Sequence, residues 1–277
     1  MDAQNLKEVL KGKLTKSEYE PAPRAFDSFG NIAVIEIPPE LEKKKKIIGE
    51  ALLEANKRFE TVCAIESEHE GQYRIQKVKV IAGKKNTIAT YKESGCAFKV
   101  PLGKVFFSPR LGPERLRIAQ EIKKGEVVGT WFSGVGPYPI VFSKNSKMKE
   151  AVAIELNPEA HKFALESAKI NKVENVTFIK GDVKRQYKKF ERMFDRIAMP
   201  LPHTGYQFLK EAFFCVKKGG IIHFYEIVQK EDYNTPLAQI KVAAEQGKRK
   251  IRIVKRKRVR VFSPTKEQVV FDIKVLN

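Results

Sequence analysis

The sequence predicts an α/β protein: a doubly wound, mostly parallel sheet that closes in a C-terminal antiparallel hairpin, preceded by a small α+β domain. Three observations predict it. From Gly125 onward, short apolar runs alternate strictly with helical patterns, which calls for right-handed crossovers between parallel strands. The last two strand-like runs, Lys250 to Phe262 and Val269 to Val275, are joined only by a turn at Ser263-Pro264-Thr265, and so short a connection makes them antiparallel. Before about residue 100 the grammar differs: four strand-like runs follow one another without helices between them. This divides the chain into domains 1–100 and 101–277.

The first domain opens on a helix with Leu6, Val9, Leu10 and Leu14 at helical spacing. The run from Ile32 to Ile37 reads as a strand, bounded by Gly30-Asn31 and Pro38-Pro39. A helix follows from about Leu41 to Phe59, with Ile47, Ile48, Ala51, Leu52, Ala55 and Phe59 as its apolar stripe and Lys43 to Lys46 as its solvated one. Strands then run from Thr61 to Glu66, Tyr73 to Ile81, Thr87 to Tyr91 and Ala97 to Val100, separated by G-K-K-N and E-S-G turn signals. In the second domain the strands are Val127 to Phe132, Ala151 to Leu156, Val176 to Ile179, Phe194 to Met199 and Ile221 to Val228, before the closing hairpin. A parallel sheet ending this way resembles the class I AdoMet-dependent methyltransferases in outline more than the dinucleotide dehydrogenases, an analogy of fold only.

The chain carries 53 Lys and Arg against 33 Asp and Glu, a net charge of +20, which points to a polyanionic partner. At 42% hydrophobic and 10% aromatic it fills a core, which excludes a disordered or collagen-like chain and a disulfide-stapled miniprotein. No run approaches 18 apolar residues, and Asp2, Lys7 and Glu8 interrupt the place where a signal peptide needs an apolar stretch, so a cytoplasmic monomer with no membrane role is expected. Cys63, Cys96 and Cys215 lie 33 and 119 residues apart without a C-x-x-C pair and read as reduced, buried thiols; no metal site is expected.

After the first strand of the second domain comes F-S-G-V-G-P-Y-P. Gly134 and Gly136 let the backbone turn and approach a ligand, and Pro137 stands where a helix begins. A lone G-x-G also describes an ordinary strand-to-helix turn. The spacing adds to it, because Glu155 ends the next strand 21 residues after Gly134, where an acid accepts from both hydroxyls of a ribose. Asp182, in K-G-D-V after the third strand, is placed to meet an adenine amino group. The third glycine of the dinucleotide fingerprint is replaced by Pro139, which disfavours a pyrophosphate and favours S-adenosyl-L-methionine (AdoMet).

Upstream of this sheet stands V-F-F-S-P-R-L-G-P-E-R-L-R-I (Val105 to Ile118). With F-D-S-F-G-N-I-A-V-I-E-I-P (Phe26 to Pro38), F-S-G-V-G-P (Phe132 to Pro137) and E-L-N-P (Glu155 to Pro158), it resembles the archaeal and eukaryotic tRNA guanine-37 N1-methyltransferases over nearly the whole chain. That family includes methyltransferases of tricyclic wyosine precursors and an aminocarboxypropyl-transferring paralogue. The resemblance implies AdoMet held by Phe107, Phe132, Gly134, Gly136, Glu155, Asp182 and Pro200, and a tRNA anticodon stem-loop met by Arg110, Arg115 and Pro202. It further implies that Glu114 is the general base and that Arg74 supports negative charge developing on the base. Guanine N1 carries a proton, so its methylation needs both a proton acceptor and a cation near O6. Two positions depart from the pattern. Relatives usually have Asn-x-Pro where this chain reads Pro200-Leu201-Pro202, and they tend to have an Asp at Thr130. The sequence therefore predicts methylation of the purine at position 37, guanosine N1 first and a wyosine precursor such as 4-demethylwyosine as the alternative. Aminocarboxypropyl transfer and a silent RNA-binding protein stand behind these.

Between Lys248 and Arg260 nine of thirteen residues are Lys or Arg. On a strand this lays charge along the exposed side of the hairpin. It reads either as an edge protected from aggregation or as a phosphate-tracking patch in which Lys255, Arg256 and Arg258 contact RNA. His203 and His223 are given no chemistry.

Overall fold

The computed structural model describes residues 5–68 and 70–277, so Asp2 lies outside it. The chain forms two compact units: one of residues up to Glu93 together with Ala97–Pro109, the other of Ser94–Cys96 with Arg110–Asn277. The second unit thus takes over at Arg110, after the F-S-P segment.

In the first unit α1 (Leu6–Leu10) and α2 (Lys16–Tyr19) precede β1 (Asp27–Phe29) and β2 (Ile32–Ile35). Helix α1 stops before Leu14, because Gly12 turns the chain at φ +83°, yet Leu14 still buries itself. A 3₁₀ turn over Pro39–Lys44 leads into α3 (Lys45–Ala55), which is shorter than its apolar stripe suggests. Then come β3 (Thr61–Ile65), β4 (Val78–Gly83), β5 (Ile88–Glu93) and β6 (Cys96–Pro101). The first four strands form one sheet in the order β1-β2-β3-β4, and β5 pairs with β6. Leu10, Ile35, Leu41, Ile48, Leu52 and Val62 pack the core between helix and sheet. Gly30 serves two purposes: its φ is +61°, and a Cβ there would stand 2.0 Å from the carbonyl oxygen of Thr90.

The run read as a strand from Tyr73 begins only at Val78. Residues 71–74 turn, and Arg74 takes the left-handed conformation at φ +51°, its amide donating to Gly71 O at 3.1 Å. Gly71, itself at φ +67°, was the available signal.

The second unit contains α4 (Gly112–Glu121), β7 (Val127–Trp131), α5 (Pro137–Asn145), β8 (Glu150–Glu155), α6 (Pro158–Ile170), β9 (Val176–Lys180), α7 (Val183–Gln186) and β10 (Phe194–Met199). It continues through α8 (Leu209–Cys215), β11 (Val216–Gln229), α9 (Asn234–Gln246), β12 (Ile251–Val261) and β13 (Lys266–Val275). The strand order is β12-β13-β11-β10-β7-β8-β9. Five strands are parallel, and β13 inserts antiparallel between β11 and β12. The order reverses between β7 and β10, so the crevice at their carboxyl ends is where such a sheet binds ligands. Helices α8 and α9 cover one face, Phe213 of α8 joining the core of Phe194, Phe224 and Phe271, while α4 packs on α5 elsewhere. Cys63, Cys96 and Cys215 are buried and form no disulfide among the described residues, and burial pushes Cys63 up to about 11 and Cys215 up to about 12. Among the described residues no helix is long and apolar enough to cross a membrane.

Candidate active site

At the carboxyl end of β7 the chain turns through three left-handed residues, Phe132 (φ +55°), Gly134 (φ +56°) and Gly136 (φ +82°), and enters α5 at Pro137. Glycine carries that conformation without penalty, but Phe132 does not, and a bulky residue held there is a strain associated with function. Gly136 is also required by space, since a Cβ would approach Ile140 Cδ1 at 3.1 Å and Phe178 Cε1 at 3.2 Å.

Glu155 clamps this loop from the end of β8. One carboxylate oxygen accepts from Gly134 N at 2.6 Å and the other from Asn157 N at 2.7 Å. Burial raises its pKa above the ordinary carboxylate value, and the backbone donors pull it partly back. The sequence reading assigned Glu155 to a ribose alone; in the structure it also organises the loop. Asp182 caps α7, accepting from Lys184 N at 2.9 Å. Phe132 meets Phe208 edge to face with centroids 4.8 Å apart. Pro200, half-buried, follows β10 directly, and Leu201 N donates to Met199 O at 2.8 Å, a tight turn at the strand end. The hydroxyls of Thr130 and Ser133 are buried and make no hydrogen bond among the described residues. Buried hydroxyls without partners, an open glycine turn and a carboxylate at the strand end suit a nucleoside rich in hydroxyl and amino groups.

Glu114 lies elsewhere in this unit, in the first turn of α4, and it is buried at 3% exposure. The sequence reading expected a carboxylate open to a base. Instead Arg117, three residues on and on the same helix face, donates to it twice, Nε to Oε2 at 2.8 Å and Nη2 to Oε1 at 2.6 Å. Tyr225 donates its hydroxyl to Oε1 at 2.9 Å, and Lys257 Nζ lies 3.8 Å from Oε2. Arg117 also donates to Asp272 at 2.9 Å and to Glu121 at 2.9 Å.

The network continues inward. His223, fully buried, lies 2.5 Å from Asp272 through Nδ1 and 2.7 Å from Arg196 Nη1 through Nε2. Arginine only donates, so Nε2 accepts and the proton sits on Nδ1: His223 is neutral. Burial lowers its pKa, and with the nearby Arg196 and Arg117 cations it outweighs the upward pull of Asp272. Arg196 in turn donates to Glu126 at 3.0 Å, and Lys255 to Glu121 at 2.6 Å. Four carboxylates (Glu114, Glu121, Glu126, Asp272) thus meet four cations (Arg117, Arg196, Lys255, Lys257). Burial opposes the charge of Asp272, but His223 and Arg117 outweigh it and hold its pKa well below the usual range. Arg117, Arg196, Tyr225 and Asp272 do not stand out in the sequence, and His223 is given no chemistry there. The signal was present as a polar residue flanked by apolar ones inside each strand: R in F-D-R-I-A-M, H in I-I-H-F-Y-E and D in V-F-D-I-K-V.

A pH dependence follows from His223. Its folded pKa is below the unfolded value near 6.5, so between those values the unfolded chain binds a proton that the folded one does not. Stability contributed by the neutral imidazole is whole above about pH 6.5 and is lost as pH falls through that window. In thermal melts followed by the single tryptophan, Trp131, the wild type loses stability between pH 6.5 and 5 more steeply than His223→Asn. Parallel curves would contradict the neutral assignment.

Other residues named from sequence are rearranged. Arg115 is not a surface contact: it is 1% exposed, with its guanidinium 5.7 Å from the Tyr138 ring, because its position on α4 turns it toward α5. Pro202 is buried and presents no surface to RNA, whereas Arg110 is exposed. Phe107 packs with Phe29, Tyr91 and Phe98 in an aromatic cluster of the first unit, and Arg74 lies 5.6 Å from the Phe106 ring. The basic strand does not show its charge on one side. Lys255 pairs with Asp272 and shares the face of Glu114, whereas Arg256 and Arg258 pair with Phe271 and Val269 on the opposite face. Arg256 stacks on Tyr233 at 3.9 Å.

A seven-stranded sheet in this order, with a glycine turn at its switch point and an acid ending the next strand, defines a class I methyltransferase. Residues 89–254 match the TRM5/TYW2 methyltransferase domain and residues 6–87 the TYW2 N-terminal domain. The chain belongs to the TRM5/TYW2 methyltransferase family. It is 37% identical over 91% of its length to the tRNA (guanine(37)-N(1))-methyltransferase Trm5b of Pyrococcus abyssi, covering 75% of that protein. The crystal structure of that enzyme superposes with a TM-score of 0.86 over 95% of this chain and 79% of the other. The tRNA 4-demethylwyosine(37)-methyltransferase Taw21 of Saccharolobus solfataricus is 34% identical, with 91% of this chain and 94% of that one covered. A complex of aTrm5 with tRNALeu, 30% identical, gives a TM-score of 0.85 over all of this chain and 79% of that one.

Proposed function

We propose that this chain transfers the methyl group of AdoMet to the purine at position 37 of tRNA, with guanosine N1 as the acceptor, as a cytoplasmic monomer. The observation that carries the reading is the glycine loop clamped by Glu155 at the switch point of a chain whose relatives are named for position 37. Glu155, Gly134, Gly136, Phe132, Asp182 and Pro200 would hold AdoMet, together with the unsatisfied hydroxyls of Ser133 and Thr130. AdoMet supplies a methyl group already activated by its sulfonium.

Glu114 is the proton acceptor. Its ion pair makes this workable, because Arg117 is shared with Asp272: when Glu114 takes a proton, Arg117 keeps one full counter-charge and no buried cation is stranded. Arg74 supports the negative charge on the base. Arg110 and Arg258, both exposed, contact phosphate, and Lys255 and Arg256 contribute less than the sequence suggests because Glu121 and Tyr233 already engage them.

Pro200 supports a second reading, 4-demethylwyosine as the acceptor. No side-chain acceptor stands at the end of β10, and a carbon nucleophile loses its proton only after it has gained the methyl group. Labelled methyl transfer to tRNA transcripts carrying G37 or A37 tests the main reading. Incorporation confined to G37 supports it; equal incorporation into both contradicts it.

Replacing Glu155 with Ala removes an acceptor and unclamps the loop. AdoMet affinity measured by calorimetry falls by about 1.5 to 3 kcal/mol. Because burial raises the Glu155 pKa above the ordinary carboxylate value, protonation on acidification sets in earlier than for a free glutamate and turns the acceptor into a donor, so wild-type affinity also declines as pH falls, and the variant shows no such decline.

A further inference from the structure

The turn of the β12–β13 hairpin carries Val261 and Phe262 in water, 54% and 43% exposed. They close a strand whose other exposed residues include Lys257 and Arg258. The Phe262 ring is met edge to face by the His203 imidazole, with centroids 6.2 Å apart and planes at 79°, and the Arg260 guanidinium lies 5.6 Å from the same ring.

His203 follows Pro200-Leu201-Pro202 at the carboxyl end of β10, next to the crevice assigned to methyl transfer. Its ring is exposed, but its backbone is fixed. The φ angle is +73°, and the amide donates to the buried carboxylate of Glu226 at 2.6 Å. A left-handed non-glycine residue costs about 1 kcal/mol or more. Here the strain holds an aromatic ring at the surface, where it adds nothing to the core.

We propose that His203, Phe262 and Arg260 form a stacking platform for an unpaired RNA base next to the methylated purine. Bases offer a π-face to exposed aromatic rings and to guanidinium groups, and the strand that presents Phe262 supplies cations for the adjoining phosphates. A protein partner would call for a contiguous apolar patch of several hundred Å², which two side chains flanked by cations do not make. The proposal rests on the position-37 tRNA reading.

The test uses the whole protein and an anticodon stem-loop RNA with 2-aminopurine at position 36 or 38. Wild-type protein quenches the probe at one of these positions. Phe262→Ala weakens stem-loop binding about 5- to 100-fold and abolishes quenching. Phe262→Trp restores both, and AdoMet affinity is the same in all three. If Phe262→Ala binds and quenches like the wild type, the platform is wrong and the patch serves a protein contact. If the wild type binds no stem-loop, the tRNA reading fails first and the platform with it.

Discussion

Glu114→Gln lowers the single-turnover rate of methyl transfer to guanosine-37 tRNA by about 10²- to 10⁴-fold, while AdoMet and tRNA affinities stay near wild type. Gln keeps the shape of the side chain and one acceptor for Arg117, so α4 holds its place. It cannot take the N1 proton. Raising the pH partly rescues the variant as solution base replaces the carboxylate, and Arg74→Ala slows the step without that rescue. On 4-demethylwyosine tRNA the same substitution costs much less, since methyl transfer to carbon precedes proton loss. A native rate on guanosine would make Glu114 only the partner of Arg117.

The second large effect is on stability. Arg117→Met leaves two buried carboxylates, Glu114 and Asp272, without their shared cation. Breaking a buried pair from one side costs about 3 to 5 kcal/mol, and Trp131 fluorescence in urea reports it from within the second unit. Adding Glu114→Gln recovers part of the loss, because one uncompensated charge disappears; strict additivity of the two substitutions would show that the ion pair is not coupled. Acidification narrows the gap between wild type and Arg117→Met. Asp272 holds its charge below the usual carboxylate pKa only in the presence of its partners, so the stability it contributes is present above the unfolded value and lost as pH falls below it.

These two residues also show how far sequence reasoning reaches. The sheet of the second unit was legible because its strands are apolar runs set off by helical patterns, and the hairpin because one short turn admits only antiparallel pairing. The glycine loop and Glu155 were legible as a spacing. The ion network was not, since Arg117 and Asp272 are 155 residues apart and meet only once β13 is inserted beside β11. The phase of α4 misled in a specific way. Arg115 and Arg117 both follow Glu114, and only the i,i+3 geometry selects Arg117 as the partner while turning Arg115 against Tyr138. On β12 the charge falls on both faces because Lys255, Arg256, Lys257 and Arg258 are consecutive and pair in regular register with Asp272, Phe271, Val270 and Val269, so alternation sends them to opposite sides. Arg74 escaped the strand assigned to it because Gly71 opens a turn that the charged run around it concealed.

The measurement that bears most directly on the account is mass spectrometry of nucleosides digested from tRNA after reaction with wild-type protein and AdoMet, using guanosine-37 and 4-demethylwyosine-37 substrates side by side. A single added methyl group on the position-37 purine, at N1 when that purine is guanosine, is the expected result. A methyl group found only at another nucleotide, or an added aminocarboxypropyl group in its place, would contradict it.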